Sequence, residues 1–417
     1  MKILVLTPLY PDEIIKTYGK QTPAIHDFLK FWDRKKDVDV LAVKLRYFPI
    51  DEKDYKPRKA YVRDGVTVEN LYIFDRGIVG KRTESTLFFF LWILNRISHL
   101  GIEKFNLYRL KKILANNGFK PDIILAHSML SFKEANLTAK YFNVPYILAF
   151  HGADVKNFNE NKRWADYISI NLNKASAWVA RSPSIYSNLK NHSQFQKQPS
   201  YIALSGIEEN EILPFQFKEK KLVNWKIEGK LIKLISVCAL IKLKNIDTNL
   251  RALAKLPSKL NFIYHIIGEG EEMQNLKNLC VKLNLSEKVI FHGNLNRTKV
   301  LKKLEKSHIF LMVSAPETFG MAFLEAFAKG NLVIGAKENG IDGVAKDGVE
   351  AIFVYPENID ELATKLSSII YESTYIELKD MLFNANKLIS NMSKEKMAKD
   401  YLEYVREIGQ TGKEQKL

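Results

Sequence analysis

The feature that most restricts this chain is a series of ten short, nearly unbroken apolar runs. They fall at residues 2–6, 38–43, 123–126, 146–150 and 177–180, then at 234–237, 262–267, 289–291, 309–313 and 332–334. Unbroken Ile, Val, Leu and Phe at strand length is what a strand buried on both faces requires, whereas a strand with one wet face would alternate. Helix-forming stretches lie between the runs, so the pattern predicts βαβ units and parallel sheets. A chain of 417 residues exceeds what one core organises. The second series restarts after a polar, strandless span at 208–230, which reads as an interdomain linker. The predicted fold is therefore α/β, with two doubly wound domains, 1–205 and 206–390, and a cleft between them. Residues 391–417 follow, a charged amphipathic helix over 394–409 and then a polar tail, QTGKEQKL, expected to fray.

The opening MKILVLTPLYP reads as a buried first strand that turns at Pro8 and Pro11, unlike the charged and cleavable segment of a secretory signal. This reading keeps the protein in the cytoplasm. Two distant cysteines, Cys238 and Cys280, have no metal-ligand spacing and read as core residues, which excludes a disulfide framework or a zinc site. The net charge of +16 is uneven: residues 1–210 hold 32 Lys and Arg against 21 Asp and Glu, and the remainder 31 against 26. Within the basic half, residues 86–114 interleave Phe89 and Trp92 with Arg96, Lys104, Arg109, Lys111 and Lys112. The apolar centre, 87–94, is far shorter than the roughly 20 residues that span a bilayer. The mixture suits an interfacial helix pair on an anionic membrane surface, the alternative being a core helix followed by a solvated basic face. No nucleic-acid-binding signature accompanies the charge, so nucleic acid is not an expected partner.

Residues 314–330, SAPETFGMAFLEAFAKG, follow the run at 309–313. Pro316 stops the chain from continuing as helix, MAFLEAFAKG supplies helix formers, and Gly330 suits the position just past a helix end. Glu317 is thus expected on a loop and Glu325 within a helix. In open α/β sheets ligands collect beyond the carboxyl ends of strands, where the unpaired amides of a helix start, here 319–322, suit a diphosphate. Phosphate repels carboxylate. Two carboxylates on the same ligand must therefore accept hydrogen bonds from its hydroxyl-bearing ends. A nucleoside diphosphate sugar has that layout, with sugar, diphosphate and ribose in a row.

The E-x7-E arrangement in PETFGMAFLEAFAKG resembles the signature of retaining glycosyltransferases of family 4, the glycosyl transferases group 1, whose GT-B fold sets two Rossmann-like domains facing a cleft. Further segments stand in family order: Gly19 after the first strand, HGAD at 151–154, LISVCALIKLKNID at 234–247, IIGEGEE at 266–272, VIFHGNL at 289–295 and GIDGVAKDGVEAIFV at 340–354. The resemblance covers nearly the whole chain and is strongest over 234–355. It implies that Glu325 holds the ribose hydroxyls and Glu317 faces the transferred sugar. The amides of Phe319, Gly320 and Met321 then lie near sugar and diphosphate, Lys244 lies on the diphosphate, and the base lies near Gly293 and Leu295. It also implies that Gly19 lets backbone approach the phosphates, that His151 points into the cleft beside the donor sugar, and that the C-terminal helix returns to the N-terminal domain.

Three positions depart from the family pattern. Ala239 replaces a frequent arginine, for which Lys242 is the available substitute; Gly19 stands alone between Tyr18 and Lys20; and Ser205 replaces an asparagine. Asp37 and Asp39 form a DxD like that of metal-using glycosyltransferases, but they begin an apolar run, where charge is unremarkable. No metal or cofactor is expected, since Lys244 and helix amides take that place. The resemblance implies a retaining, metal-independent transferase that uses a UDP- or GDP-sugar. The expected acceptor is a lipid-linked glycan in capsule or lipopolysaccharide assembly, with the protein peripheral at the inner face of the cell membrane. A GT-B nucleotide-sugar epimerase, a phosphorylase and a catalytically silent glycan-binding partner are the alternatives.

Overall fold

A computed structural model describes residues 1–11, 23–47, 59–73, 99–229 and 231–414. The chain divides into two compact units: Met1–Arg181 with Ile185–Ala203 and Met397–Leu417, and Leu204–Lys396 with Ser182–Ser184.

The N-terminal unit is built on an eight-stranded sheet. Its strands are β1 (Lys2–Thr7), β2 (Asp39–Tyr47), β3 (Ala60–Arg63), β4 (Val66–Ile73), β5 (Ile123–His127), β6 (Tyr146–Phe150), β7 (Ala177–Ala180) and β8 (Ser200–Ile202), in the order β3-β4-β2-β1-β5-β6-β7-β8. Every pairing is parallel except β3 with β4. The register Lys2↔Asp39 and Ile3↔Ile123 sends alternate residues of β1 to opposite faces. Leu4 and Leu6 join one apolar layer with Ile113, Phe132 and Trp178, while Ile3 and Val5 join another with Phe28, Trp32, Tyr401 and Val405. A strand filling two cores has no position for a polar side chain, which explains the unbroken runs.

The C-terminal unit repeats the plan with six parallel strands, β9 (Ile232–Val237), β10 (Phe262–Ile267), β11 (Val289–Phe291), β12 (Ile309–Met312), β13 (Leu332–Ala336) and β14 (Ile352–Val354), ordered β11-β10-β9-β12-β13-β14. All ten apolar runs are strands. The sequence reading missed β3, β4, β8 and β14, each for a physical reason. Three lie at sheet edges, where a strand needs no continuous apolar run. The fourth, β4, buries polar Glu69 and Asn70, whose partners Asn117 (2.9 Å) and Arg46 (2.8 Å) are remote in sequence.

Two expectations are corrected. The supposed linker at 208–230 contains a helix, Phe215–Lys226, whose Leu222 and Trp225 are buried in the C-terminal core, so its polarity does not mark a connector. The last helix runs Lys394–Glu414, five residues past the expected end at 409. Its Ala398, Tyr401, Leu402, Val405 and Ile408 are buried in the N-terminal core, and Ala398 O accepts a hydrogen bond from Trp32 Nε1 at 2.7 Å.

Candidate functional site

In each sheet the direction of winding reverses beside the first strand of the unit, between β1 and β5 and between β9 and β12. Loops leaving those neighbouring strands diverge, which opens a crevice at the carboxyl edge. In the C-terminal unit the loop after β9 carries Lys244 and the loop after β12 carries Glu317. They meet across the switch point, with Lys244 Nζ 2.5 Å from Glu317 Oε2 and both side chains mostly buried. Backbone contacts fix the two loops: Ala315 N donates to Leu243 O at 3.0 Å, and Asn245 Nδ2 to Val313 O at 3.0 Å. Glu317 is held further by Ser314 Oγ at 3.2 Å and, through its own amide, by Asn339 Oδ1 at 3.1 Å.

The helix after this loop is Met321–Ala328, entered through Gly320 at φ 75 with no side chain capping it. Its first amides stay open for an acceptor, and those of Phe319, Gly320 and Met321 donate no hydrogen bond among the described residues. Phe319 is buried, and Met321 and Leu295 pack against the same core cluster. Glu325 lies one turn along, its side chain only 12% exposed. Burial pushes its pKa up, and the Arg297 guanidinium opposes that rise. Arg297 Nη2 lies 2.9 Å from Glu325 Oε1 and 2.8 Å from Glu211 Oε2, and Arg297 Nη1 bonds Glu211 Oε1. Neither Arg297 nor Glu211 was legible as a site residue. They stand 28 and 114 positions before Glu325 in sequence, with no local pattern to link them.

The turn expected near the base is held by backbone. A Cβ on Gly268 would lie 1.8 Å from Cys238 O, so only glycine lets β10 end against the loop after β9. Gly268 N donates to Gly293 O at 2.9 Å, and Asn294 Nδ2 reaches Glu269 at 2.9 Å, which places Gly293 and Leu295 beside this turn. Lys242 is exposed and lines a cavity of ≈420 Å³ between helices Ile246–Ala254 and Met273–Lys282, together with Asp247, Arg251 and Glu272. Among the lining residues only Lys242 was a site candidate. Cys238 and Cys280 are free thiols, pushed up to about 12 and about 11 by burial.

In the N-terminal unit His151 follows β6 directly and His127 ends the neighbouring β5, their ring centroids 5.7 Å apart. Buried Asp154 ties the two strand ends together. Its Oδ2 accepts from His151 N at 2.8 Å, and its Oδ1 from Met129 N at 3.0 Å and Ser128 Oγ at 3.1 Å. His151 Nε2 and His127 Nδ1 are buried without a hydrogen-bond partner among the described residues. Burial, then the Arg181 charge, pushes His151 down to about 3, so the ring is neutral. Gly19 lies outside the described residues. Asp37 pairs with Arg406 (2.5 Å) and Asp39 with Lys2 (3.6 Å), so both carboxylates of the DxD have cationic partners.

A family model described as "Glycosyl transferases group 1" matches residues 217–388, and one described as "Glycosyl transferase 4-like" matches residues 85–182. Residues 217–388 thus match the glycosyl transferases group 1 family, and both matches are to glycosyltransferases. An uncharacterized glycosyltransferase of Methanocaldococcus jannaschii is 25% identical over 293 residues, 67% of this chain and 75% of the relative. Two further curated matches, a second uncharacterized glycosyltransferase of Methanocaldococcus jannaschii and the N-acetyl-alpha-D-glucosaminyl L-malate synthase of Bacillus anthracis, are 32% and 30% identical and span 31% and 30% of the relatives' own lengths. Among solved structures, sucrose-phosphate synthase from Thermosynechococcus elongatus superposes with a TM-score of 0.72 at 15% identity, over 98% of this chain and 99% of that one. Anabaena HepE in complex with UDP and glucose gives 0.67 at 16% identity, over 98% and 100%. The fold is GT-B, two parallel-sheet α/β domains.

Of the basic aromatic stretch, Phe89, Trp92 and Arg96 lie outside the described residues. Helix His99–Asn116 buries Leu110, Ile113 and Leu114 in the core and exposes Phe105, Tyr108, Lys104 and Lys112. Lys111 lies over the exposed Tyr141 ring at 3.8 Å. Arg109 does not belong to an outward cationic face. Its Nη1 donates to Tyr72 O at 2.5 Å.

Proposed function

We propose that this protein is a retaining, metal-independent glycosyltransferase that moves a sugar from a nucleoside diphosphate sugar to a hydroxyl of a lipid-linked glycan at a membrane surface. The observation that carries the reading is the grouping, in one unit, of Lys244 against Glu317 across the switch point, the open helix start at Gly320, and Glu325 one turn on. A diphosphate suits the amides and Lys244, and developing charge on the leaving group is stabilised there. Glu317 then accepts from the transferred sugar and Glu325 from the ribose. Complexes of Anabaena HepE with UDP and glucose support a uridine nucleotide as the first ligand to try. In transfer with retention, the bond from the anomeric carbon to the diphosphate oxygen breaks while the acceptor oxygen bonds the same face. The acceptor's proton passes to the leaving phosphate, so no separate base is required. Neutral His151, with its unpartnered Nε2, suits a hydrogen bond to the sugar better than proton abstraction.

Calorimetry with UDP tests the donor site. Glu325→Ala should weaken binding by about 1.5–3 kcal/mol, the range for a hydrogen bond to a charged group, whereas Glu317→Ala should mainly lower turnover. Wild-type affinity in Glu325→Ala would place the ribose elsewhere. Transfer should persist in EDTA, and a loss restored by Mg²⁺ or Mn²⁺ would overturn the metal-independent part of the reading.

A further inference from the structure

The Arg297 side chain makes an unusual commitment. It begins helix Arg297–Glu305, where the helix dipole disfavours a cation, and no acidic residue in the first turn offsets it. Its partners are two carboxylates that are far less exposed than itself, Glu211 at 16% and Glu325 at 12% against 46%. One guanidinium therefore serves two nearly buried anions. Glu211 is in turn fixed by the chain around it: its carbonyl accepts from Lys329 Nζ at 2.6 Å, and Leu213 N donates to Ala328 O at 2.9 Å. Arg297 Nη2 approaches Glu325 at Oε1, 2.9 Å away.

We propose that Arg297 is the positioning residue of the donor carboxylate: braced by Glu211, its guanidinium holds one oxygen of Glu325 and leaves the other to accept from the vicinal hydroxyls of a nucleoside. The inference rests on the reading that Glu325 takes the ribose. Charge makes the role more than geometric. The groups that act on Glu325 are Arg297 and Lys394, which favour its ionised form, and Glu211, which with burial opposes it. Lys394 is itself 3.2 Å from Glu208 and Lys329 is engaged by the Glu211 carbonyl, so neither is free to replace Arg297. Without Arg297, Glu325 keeps its burial and its like-charged neighbour and loses its nearest cation, so it takes up a proton at higher pH. A protonated carboxyl is a poorer acceptor for a hydroxyl.

The test is calorimetric titration of the full chain with UDP at pH 8 and pH 5, for wild type, Arg297→Met, Arg297→Lys and Glu325→Gln, with thermal unfolding as a check on folding. Wild-type affinity at each pH is the baseline, because burial already raises the Glu325 pKa and the terminal phosphate of UDP also takes up a proton in this range. Arg297→Met should bind more weakly than wild type at pH 8 and lose about a further tenfold relative to wild type at pH 5. Arg297→Lys, which keeps the charge but not the fork, should restore most of the wild-type profile. Affinity in Arg297→Met equal to wild type at both pH values, or weakened equally at both, overturns the proposal, because loss of a merely structural tie has no pH signature. Glu325→Gln separates the two readings. If it binds UDP as wild type does, or if wild type binds no UDP, the ribose assignment fails. If Glu325→Gln is weakened while Arg297→Met is unaffected, only the positioning role fails.

Discussion

His151 and His308 show how burial decides what a histidine does. Each is pushed down to about 3 from 6.5, by burial first, and His308 Nδ1 accepts from Lys233 N at 2.9 Å in its neutral form. Between those values the unfolded chain binds more protons than the folded one. Stability is therefore fully present above pH 6.5 and is lost as pH falls toward 3. Urea unfolding at pH 7.5 and 5.0 should show a loss of about 1–2 kcal/mol for each such histidine, and His151→Gln should remove its share of that slope. An unchanged slope would mean that His151 is protonated or exposed in the folded protein. The same residue scale shows what was legible in the candidate site. Glu317, Glu325 and Lys244 each follow a strand of unbroken apolar residues, so their places past a carboxyl edge could be read from the run before them. Arg297 and Glu211 could not, since what makes them matter is a third carboxylate far along the chain. The Lys244–Glu317 ion pair was missed for a related reason: each was assigned to a ligand, and the pairing depends on which strands are neighbours, which sequence does not give.

At the scale of elements, helix Phe215–Lys226 does the work that its polar sequence concealed. Lys218 donates to Phe327 O at 3.0 Å and to Asn386 Oδ1 at 2.8 Å, Lys221 to Lys329 O at 2.8 Å, and Lys226 to Ile369 O and Ile370 O at 3.2 and 2.8 Å. Three lysine amines thus satisfy carbonyls at the ends of other helices, two of them at the end of the helix that carries Glu325. The buried Lys218 stem packs on Gly330, which ends that helix at φ 71, and a Cβ there would lie 2.5 Å from Lys218 Cγ. Gly330→Ala meets both a strained backbone and a collision near the root of a buried side chain. It should destabilise the protein by about 2–4 kcal/mol, read as a lower urea midpoint at unchanged m-value. A change below about 0.5 kcal/mol, the usual range for surface substitutions, would show that Lys218 moves aside and that the helix end is loose. Strands buried on both faces were legible because that burial allows only apolar residues. This helix was not, because lysines reaching carbonyls are indistinguishable in sequence from lysines reaching water.

At the scale of the whole chain, charge and exposure point to the same surface of the N-terminal unit. Residues 1–210 carry 32 basic against 21 acidic side chains, and helix His99–Asn116 exposes Phe105 and Tyr108 beside Lys104 and Lys112, with Lys111 on the exposed Tyr141. Among the described residues no helix is long and apolar enough to cross a membrane, so any membrane contact by this helix is interfacial. Rings at the acyl boundary with ammonium groups on anionic headgroups form such a contact. Each cation near that surface contributes about 1 kcal/mol, so converting Lys104, Lys111 and Lys112 together to Glu should lower partitioning onto phosphatidylglycerol vesicles by at least about a hundredfold at low salt. Arg109 is left out of the set because its guanidinium is tied to Tyr72 O, and Arg109→Glu would test the fold of the unit instead. Phe105→Ser with Tyr108→Ser should weaken vesicle binding at high salt as well, since apolar burial is not screened. Neither set touches the unit that carries Glu325, so UDP affinity measured by calorimetry should be unchanged in both. Wild-type protein that stays in the supernatant with phosphatidylglycerol vesicles at low salt would make this helix a solvated face and favour a soluble acceptor over a lipid-linked one.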